Sequence, residues 1–320
     1  MFSLLSYGEV LVDFLPDEQG QSYYPMAGGA PANVAVAYAK LGGESYFAGG
    51  ISRDNFGVML AQELQKNSVN DKYIYRTEQA NTAVVLVSLD STGERSFNFY
   101  RDNTADTCYE KPQIDQINWQ NISIFHFCSN TLTNATMNSN TLYTLEQAKQ
   151  HNTLISFDVN LRQQLWNEVN LLPERVNTCL QLSDLVKLSK DEAEYLAVQA
   201  QQSYQAYIDS LLTMGIKLVV ITDGPNPIQL LSSSFSTFID VPTITAVDTT
   251  AAGDSFIASF IFSLTEQSKI DTLASALIDV VKVTNAVVFA AKCGAYTCQR
   301  KGAFAALPTI DNIYLELFNK

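Results

Sequence analysis

Histidine is nearly absent from this chain of 320 residues, which contains only His126 and His151. Neither lies in an HExxH pattern or beside a cysteine pair, so we do not expect zinc chemistry or a serine–histidine–acid triad. The five cysteines are odd in number and scattered, with no Cys-x-x-Cys spacing. This pattern is typical of a reducing compartment, where cysteines serve as small buried apolar groups.

Basic residues are scarce as well. The chain has 20 lysines and arginines against 33 acids, which gives a net charge of −13. A nucleic-acid partner is therefore not expected, because phosphate backbones bind to basic faces. The N-terminal stretch MFSLLSYGEV lacks the basic start of a signal peptide, and no run of about 18 apolar residues predicts a membrane span. We expect a cytoplasmic protein that does not bind a membrane.

Apolar residues make up 47% of the chain and are spread over its whole length, which favours a large core. Short β-rich runs alternate with helical patterns, and these runs are residues 2–8, 122–128, 153–158, 184–189 and 217–223. Apolar side chains fall on one helical face in residues 32–41 and again in 54–64. Such alternation predicts an α/β fold with a largely parallel sheet covered by helices on both sides. Ligands of such folds lie at the carboxyl ends of the strands.

Two stretches, residues 9–25 and 81–101, interrupt this alternation. Both have the pattern of a β-hairpin, and the second has a turn at 90–93 followed by alternating Phe97 and Phe99. Neither contains a helix that could cover a sheet. We predict a small β-sheet lid on a single domain of residues 1–320, whose apolar face closes over a ligand or meets the lid of a second subunit. A homodimer through the lid is therefore an expectation.

The string VDTTAAGDSFIASFIF, residues 247–262, carries the strongest chemical signal. It overlaps a strand-like segment at 241–248 and begins an apolar helix. The small residues Ala251, Ala252 and Gly253 leave room for backbone N–H groups to bind an anion at the positive end of this helix. Asp254 has two interpretations: an acid that favours the helix dipole, or a base that takes a proton from a substrate hydroxyl. The string alone does not decide between them.

Other phosphate-binding motifs are missing, because the chain has no G-x-x-x-x-G-K-[ST], G-x-G-x-x-G or H-R-D pattern. The strings DTTAAGD (residues 248–254) and GGAPANVAVAYAKLGG (28–43) instead resemble the two signatures of the ribokinase-type (PfkB) carbohydrate kinase family. The two hairpins resemble its lid segments, so the resemblance covers nearly the whole chain. It implies a ribokinase-like three-layer α/β/α fold and favours the catalytic interpretation of Asp254.

The resemblance also implies roles for single residues. Asp254 corresponds to the catalytic base, and the N–H groups of Ala251, Ala252 and Gly253 correspond to an anion hole. The residues implied in sugar binding are Asp13, Gly28, Gly29, Asn33, Arg101 and Arg162. Without the resemblance, Asp13 would be interpreted as a solvated loop acid, residues 28–33 as a turn with a helix cap, and either arginine as a surface ion-pair partner. A bidentate guanidinium does suit a phosphate or a polyol.

The nucleotide side of the site rests on less complete matches. They imply nucleotide binding by Lys187, Ser189, Thr222, Gly224 and Asn285, with an adenine-side turn at residues 302–303. Residues 189–192 resemble the family's Asn-x-x-Glu motif, which places Glu192 at a water-bound Mg²⁺, although an acid in a first helical turn is also ordinary. Pro227 stands where the family has a second glycine, so the geometry of this loop stays open.

Asp248 and Thr250 begin the loop that leads to Ala251. In many members of the family this loop shares a monovalent cation, usually potassium, with backbone oxygens of a segment that corresponds to residues 286–296. The resemblance thus implies a potassium site at Asp248 and Thr250. From the residues alone, Asp248 is equally an acid that caps the turn by accepting backbone N–H bonds.

The combined expectation is an ATP-dependent sugar kinase that uses Mg²⁺. The strings GEVLVDFLP, GGAPANVA, FYRDNTAD and DVNLRQQLW resemble bacterial fructokinases most, which implies phosphorylation of D-fructose to fructose 6-phosphate. Ribokinase, 2-keto-3-deoxygluconate kinase and nucleoside kinase activities stay open as alternatives within the family. A sugar-binding regulator without turnover is the alternative from another class, and the retained Asp254 speaks against it.

Overall fold

The computed structural model describes residues 2–17, 21–89, 95–269 and 272–318. The strands are β1 (Ser3–Tyr7), β2 (Leu11–Pro16), β3 (Tyr23–Gly28), β4 (Glu44–Ser52), β5 (Asn70–Thr77), β6 (Val84–Leu89), β7 (Arg95–Tyr100), β8 (Ile124–Cys128), β9 (Leu154–Asp158), β10 (Leu185–Ser189), β11 (Leu218–Asp223), β12 (Asn226–Ser232) and β13 (Ser236–Ile239). The helices are α1 (Ala30–Lys40), α2 (Asn55–Lys66), α3 (Lys111–Ile114), α4 (Ala135–Gln150), α5 (Leu172–Leu180), α6 (Lys190–Gln199), α7 (Tyr204–Thr213), α8 (Ala252–Glu266), α9 (Leu273–Ala276), α10 (Val280–Cys298) and α11 (Ile310–Phe318).

Nine of the described strands form one sheet, in the order β13-β12-β11-β10-β9-β8-β1-β4-β5. From β11 to β5 all neighbouring strands are parallel, and β12 and β13 are added antiparallel at one edge. The predicted, largely parallel sheet is therefore confirmed. Parallel neighbours need long crossover connections, which the alternating strands and helices of the sequence supply.

Helices cover both faces of this sheet. Leu4 and Leu5 of β1 are both fully buried but belong to different apolar clusters, because successive side chains of a strand point to opposite faces. The cluster around Leu4 includes side chains of α1, α2, α8 and α10, and the cluster around Leu5 includes side chains of α4, α5, α6 and α7. The three-layer α/β/α arrangement is thus confirmed.

A second sheet of four described strands, in the order β3-β2-β6-β7, forms the predicted lid. Leu11, Val85 and Val87 belong to its buried cluster. Phe14, on the other face of β2, packs edge to face on Phe56 of α2, with ring centroids 5.6 Å apart. The first lid segment continues to Gly28, beyond its predicted limit at residue 25. The turn predicted at 90–93 lies outside the described residues.

The sequence also predicts a strand at 241–248, and this prediction is wrong. The last strand of the described part of the chain ends at Ile239, and residues 241–248 run outside both sheets. The N–H groups of Val247 and Asp248 donate to the Cys298 carbonyl at the end of α10, and Val247 is 56% exposed. The end of α10 therefore supplies the backbone partner that a neighbouring strand would otherwise supply.

The scarce histidines and cysteines have structural positions. Burial lowers the pKa of His126 to about 3, so this residue is neutral inside the sheet, next to the Ser156 hydroxyl. All five cysteines are described and free of disulfides, and Cys128, Cys179 and Cys293 are buried. No helix in the described part of the chain is long and apolar enough to cross a membrane.

Candidate active site

A cavity of about 470 Å³ lies where the carboxyl ends of β1, β8, β9, β10 and β11 face the lid and the N-terminus of α8. Parallel α/β sheets bind their ligands at this edge. Most of the predicted site residues line it, namely Asp13, Gly29, Asn33, Arg162, Lys187, Ser189, Glu192, Thr222, Thr250, Ala251, Ala252, Gly253 and Asp254. The lining does not include Gly28, Arg101, Gly224, Asp248 or Asn285.

The N-terminus of α8 opens into this cavity. Ala251 precedes the helix with a left-handed backbone, φ 59°, a strained conformation for alanine of the kind that persists at functional sites. The N–H groups of a first helical turn have no partner inside the helix, so those of Gly253 and Asp254 point out of its positive end. The N–H group of Ala252 already donates to the Thr249 carbonyl at 3.3 Å. Of the three predicted N–H groups, that of Ala252 is therefore already engaged within the loop, and the anion hole at residues 251–253 stays a prediction.

Asp254 lines the cavity and is 8% exposed. Asn33, in the first turn of α1, donates from Nδ2 to Asp254 Oδ2 at 2.7 Å. Burial raises the pKa of Asp254 above that of an ordinary aspartate, while the Asn33 hydrogen bond and the charges of Lys187 and Arg162 act to lower it. A raised pKa makes the carboxylate a better proton acceptor. Asn33 Oδ1 is buried without a partner among the described residues, which leaves it free to accept from a sugar hydroxyl.

A buried ion pair lies beside the anion hole. Lys187 of β10 and Asp158 at the end of β9 are neighbours in the sheet, and Lys187 Nζ lies 2.9 and 3.0 Å from the two Asp158 carboxylate oxygens. A Cβ added to Gly253 would lie 3.1 Å from Lys187 Nζ. The absence of a side chain at Gly253 therefore lets the ammonium group approach the helix N-terminus closely.

Negative charge is in excess around this ion pair. Burial raises the pKa of Asp158 to about 7; Lys187 acts against this shift, and the neighbouring Glu192 and Asp254 add to it. Burial alone would lower the pKa of Lys187, but the same carboxylates raise it above its usual value. Lys187 is therefore charged at neutral pH, and the cluster can still accept positive charge. This suits a nucleotide that arrives with a divalent cation.

Ser189 and Glu192 form a capping box at the start of α6. The Glu192 N–H donates to Ser189 Oγ at 3.1 Å, and the Ser189 N–H donates to Glu192 Oε2 at 2.8 Å. Glu192 Oε1 also accepts the Leu161 N–H at 2.7 Å, which fixes the loop that carries Arg162. The structural interpretation of Glu192 is thus realised, and its oxygens keep further lone pairs toward the cavity it lines.

The lid forms the opposite wall of the cavity, with the lining residues Leu11, Asp13, Val85, Phe97 and Phe99. Phe97 and Phe99 lie on the same face of β7, with ring centroids 6.4 Å apart. Any side chain at Gly28 would overlap the Asp13 carboxylate. Gly29 has φ +108°, and a Cβ there would lie 2.7 Å from the Glu9 carbonyl oxygen. Both glycines therefore let the start of α1 pack closely under the lid acid.

The similarity to known proteins agrees with this geometry. A family model described as pfkB family carbohydrate kinase matches residues 1–310. The chain belongs to this family. It is a sugar phosphotransferase, and the resemblance carried by the two signature strings is confirmed across the chain.

Three proteins illustrate the similarity of this pfkB family kinase to others. The probable fructokinase-5 of Arabidopsis thaliana is 35% identical over 312 residues, which cover 96% of this chain and 94% of the relative. A crystal structure of fructokinase from Xylella fastidiosa with bound ATP has a TM-score of 0.93 and 32% identity, covering 99% of this chain and 98% of that one. A fructokinase double mutant from Vibrio cholerae, in a form with fructose, ADP and potassium ion bound, has a TM-score of 0.88 and 31% identity over 98% of both chains.

Asn285 is the predicted nucleotide residue that the fold moves farthest from the site. Its Nδ2 donates to Gln267 at the end of α8, whereas Gly294 of α10 lies near Ala252 at the start of α8. The two helices are therefore antiparallel, and a rise of about 1.5 Å per residue places Gln267 roughly 22 Å from the anion hole. The prediction for Asn285 is wrong, because the start of α10 lies at the far end of α8.

Two further predicted site residues, Arg101 and Gly224, lie outside the cavity lining. Arg101 is a buried side chain rather than a surface ion-pair partner, and Arg101 Nε donates to Asp106 Oδ2 at 2.6 Å. It stands behind the cavity wall. Gly224, with φ 53°, makes the turn between β11 and β12 and does not line the cavity. Pro227 lies inside β12, next to a register shift at the end of β11.

The surroundings of Asp248, the acid of the predicted potassium site, are defined by hydrogen bonds. Asp248 is buried, and its two carboxylate oxygens accept the N–H groups of Thr250 at 2.8 Å and Gly302 at 3.0 Å. Residues 286–296 lie inside α10, where most carbonyls bond within the helix. The backbone that contacts Asp248 is that of Cys298 and Gly302, which lies after the predicted segment 286–296, and the turn at 302–303 belongs to this loop. A potassium site at Asp248 stays a prediction.

The cavity also contains residues that the sequence did not single out: Glu9, Asn130, Asp158 and Asn160. Each follows or ends a parallel strand, namely β1, β8 or β9. A usable signal existed in the sequence. Polar residues directly after buried β-rich runs mark the carboxyl edge of a parallel sheet, where ligands bind.

Replacing Asn33 by leucine should move the acid limb of the kcat/KM profile to higher pH by about one unit. The Asn33 hydrogen bond stabilises the Asp254 carboxylate, so its loss raises the pKa of a base that works only when deprotonated. The measurement is kcat/KM for sugar between pH 4 and 9. Asn285→Leu, an exposed change on α10, is the matched control. If the acid limb stays at the same pH in Asn33→Leu, the group that titrates in this limb is not Asp254.

Proposed function

We propose that this kinase transfers the γ-phosphoryl group of ATP to the 6-hydroxyl group of fructose. The observation that carries the proposal is the position of Asp254: it is hydrogen-bonded to Asn33, stands at the start of α8 and shares one cavity with the lid acid Asp13 and the Lys187 ammonium group. The named fructokinases among the similar proteins support fructose as the acceptor.

Each of these residues has a separate role in the proposed reaction. Asp254 accepts the proton of the sugar hydroxyl as its oxygen forms a bond to the γ-phosphorus, and the bond from this phosphorus to the β,γ-bridging oxygen breaks to release ADP. The Gly253 N–H group and Lys187 Nζ stabilise the negative charge on the transferring group. Arg162 lines the same cavity and adds a second cation. The lid excludes water, which would otherwise compete as acceptor.

The donor set also fits Mg²⁺. The described residues contain no group of three or more acids, histidines or cysteines that could hold a metal on their own. Mg²⁺ commonly needs only one or two carboxylates in addition to nucleotide phosphates and water. Asp158 and Glu192 are the carboxylates that would hold it, Glu192 through water. When bound, Mg²⁺ neutralises the charge of the phosphate oxygens.

Potassium should activate this enzyme through the Asp248 loop. Both Asp248 oxygens accept backbone N–H groups, and a cation beside this carboxylate would hold the loop that leads to the anion hole. We expect kcat to be several-fold higher in potassium than in sodium or tetramethylammonium. Asp248→Asn should remove the difference. Equal rates of the wild-type enzyme in all three salts would contradict the proposal.

The acceptor is tested with a substrate panel. Purified protein is assayed with ATP, Mg²⁺ and each of fructose, ribose, 2-keto-3-deoxygluconate and nucleosides, and kcat/KM is compared. The proposal expects fructose to have the highest value. If fructose is not phosphorylated while another member of the panel is, the family assignment stands and the acceptor is wrong.

A homodimer through the lid, in the cytoplasm, is part of the same proposal. The lid face that carries Asp13 has two exposed aromatic side chains, Tyr24 at 58% and Phe97 at 39% exposure. Such a surface supports association with a second lid. Light scattering at two protein concentrations measures this directly, and a monomer mass at both would exclude the dimer.

A further inference from the structure

A second cavity, of about 250 Å³, lies at the far ends of the two helices that carry Asn33 and Asp254. These two residues are hydrogen-bonded to each other and lie in the first turns of α1 and α8. Further along the same helices, the Tyr38 hydroxyl oxygen lies 3.5 Å from Thr265 Oγ1. The two helices therefore run side by side in the same direction. The turn after α1 and Glu266, the last residue of α8, both line this second cavity, and we call it the α1–α8 cavity.

Negative charges meet at the α1–α8 cavity. The carbonyl ends of two helix dipoles lie there, which favours a cation. Glu266 adds a carboxylate that is exposed and makes no ion pair among the described residues. Lys40, in the last turn of α1, donates instead to the carbonyl oxygens of Phe304 and Leu307. Among the described residues that line the cavity there is no lysine or arginine, so these residues do not balance its negative charge.

Two hydroxyl groups of the α1–α8 cavity lack a short hydrogen bond. Ser268 Oγ is buried with no partner among the described residues. Tyr38 is 1% exposed, and its hydroxyl oxygen lies 3.4 Å from the Phe2 carbonyl oxygen and 3.5 Å from Thr265 Oγ1, whereas O–H···O hydrogen bonds are usually about 2.5 to 3.0 Å long. Burial raises the pKa of Tyr38 to about 12, and the nearby Glu266 carboxylate adds to this shift. Buried hydroxyl groups of this kind call for a ligand or an ordered water.

The walls of the α1–α8 cavity indicate an organic cation as the ligand. Phe2, Tyr38 and Phe262 line it, and the rings of Tyr38 and Phe262 meet edge to face with their centroids 5.9 Å apart. Aromatic rings attract ammonium ions. A Mg²⁺ or Ca²⁺ ion would need about six oxygen ligands, but Glu266 is the one carboxylate among the described residues of this lining. An ammonium group has three N–H donors and no acceptor, which matches the side-chain oxygens of Glu266, Tyr38 and Ser268.

We propose that the α1–α8 cavity is an effector site for a small organic ammonium ion. Its volume of about 250 Å³ is below the roughly 300 Å³ of a typical drug-sized site, so the ligand is an amine with few non-hydrogen atoms. The ion contacts the ends of both helices, roughly 18 Å from Asp254 at a rise of about 1.5 Å per residue. It changes turnover by shifting α1 relative to α8, because the hydrogen bond from Asn33 to Asp254 joins the other ends of these helices. The site does not depend on which sugar is the acceptor.

Binding is measured by NMR titration of the wild-type enzyme with two probes of similar shape, cyclohexylammonium and the neutral cyclohexanol. Excess potassium chloride keeps the ammonium probe away from the Asp248 loop. Cyclohexylammonium should bind with a Kd of about 1 mM and cyclohexanol at least about tenfold more weakly. The reason is that only the ammonium ion gains from the negative charge and the aromatic rings. Equal affinities of the two probes would exclude a cation site.

Two variants locate the bound probe. Glu266→Lys places a positive charge beside the cavity and should weaken the binding of cyclohexylammonium by more than about tenfold, and lysine is favourable in the last turn of a helix. Phe262→Leu removes one aromatic wall and should weaken binding about threefold or more. The matched control is Glu146→Lys, which reverses an exposed acid near the end of α4, outside both cavities, and should bind the probe as the wild type does. Thermal unfolding confirms that each variant is folded.

Turnover decides whether the bound ion is an effector. Saturating cyclohexylammonium should change the kcat of the wild-type enzyme by about fivefold or more, and Glu266→Lys should have the same kcat with and without the probe. The assay uses the sugar that the substrate panel identifies, so a failure of fructose as acceptor leaves this test intact. Binding that is unchanged in Glu266→Lys places the probe elsewhere, and binding without a change in kcat or KM excludes the effector role. Either result overturns the inference.

Discussion

Asp254→Asn should lower kcat by about 10³-fold while fructose and an ATP analogue still bind within a few-fold of their wild-type affinities. The amide has the shape of the carboxylate and can still accept from Asn33 Nδ2, so the cavity keeps its form. It cannot accept the proton of an attacking hydroxyl. An acid that only favoured the helix dipole would instead contribute about 0.3 to 1 kcal/mol of stability and nothing to turnover.

Stability gives an independent check on this substitution. The pKa of Asp254 is higher in the folded protein than in an unfolded chain, chiefly because of burial. The folded state therefore binds this proton more tightly, and stability falls as the pH rises from the unfolded pKa through the folded one. At pH 7 the carboxylate costs stability, so Asp254→Asn should be at least as stable as the wild type.

The matched control for Asp254→Asn is Asp279→Asn. Asp279 caps α10 by accepting the N–H groups of Val281 and Lys282, and it does not line the cavity. Asparagine caps a helix about as well as aspartate, so this change should leave both the stability and kcat nearly unchanged. Steady-state rates, calorimetric titration with fructose and urea denaturation complete the comparison. A wild-type kcat in Asp254→Asn would take this residue out of the mechanism.

Periodicity predicted the fold where local burial decides structure. Leu60 and Leu64 on α2 are buried on one face as their spacing predicts, whereas α1 is buried on all sides from Pro31 to Ala39. The exception is instructive. Residues 241–248 have the apolar character of a strand, but Val247 is exposed and its N–H donates to the Cys298 carbonyl. No local pattern shows that this partner comes from the end of a helix about 50 residues later.

The site was predictable where the chain itself brings residues together. Gly253 and Asp254 are adjacent in the first turn of α8, and Asn33 lies in the other signature string. Asp158 was missed because its importance comes from Lys187 on the next strand. Asn285 was misplaced for a similar reason, since the antiparallel course of α8 and α10 is a tertiary property. Sequence motifs identify reacting groups better than they identify the neighbouring residues that position these groups and shift their pKa.

Lys187→Met should lower kcat by about 10²- to 10³-fold and also destabilise the protein by about 3 to 5 kcal/mol. The two effects have different causes. Turnover falls because the ammonium group beside Gly253 no longer stabilises the transferring phosphoryl group. Stability falls because the Asp158 carboxylate, 1% exposed, loses the partner that lies 2.9 Å away. A single variant cannot separate these effects.

The double variant Lys187→Met/Asp158→Asn separates them. Replacing both partners of a buried ion pair is often close to neutral for stability, so urea denaturation should return most of the lost free energy of unfolding. The kcat of the double variant should stay as low as that of Lys187→Met, and below that of Asp158→Asn, which keeps the ammonium group.

The partly exposed pair Lys217 and Asp184 is the control for these changes, because it joins the starts of β10 and β11 outside the cavity. Lys217→Met and Lys217→Met/Asp184→Asn should both keep the wild-type kcat. A kcat of Lys187→Met/Asp158→Asn equal to that of Asp158→Asn would mean that Lys187 only neutralises Asp158. If the double variant instead has a lower kcat than Asp158→Asn, Lys187 is a catalytic cation. The chain then has a use for a lysine next to a helix N-terminus that is itself positive, because both stabilise the transferring phosphoryl group.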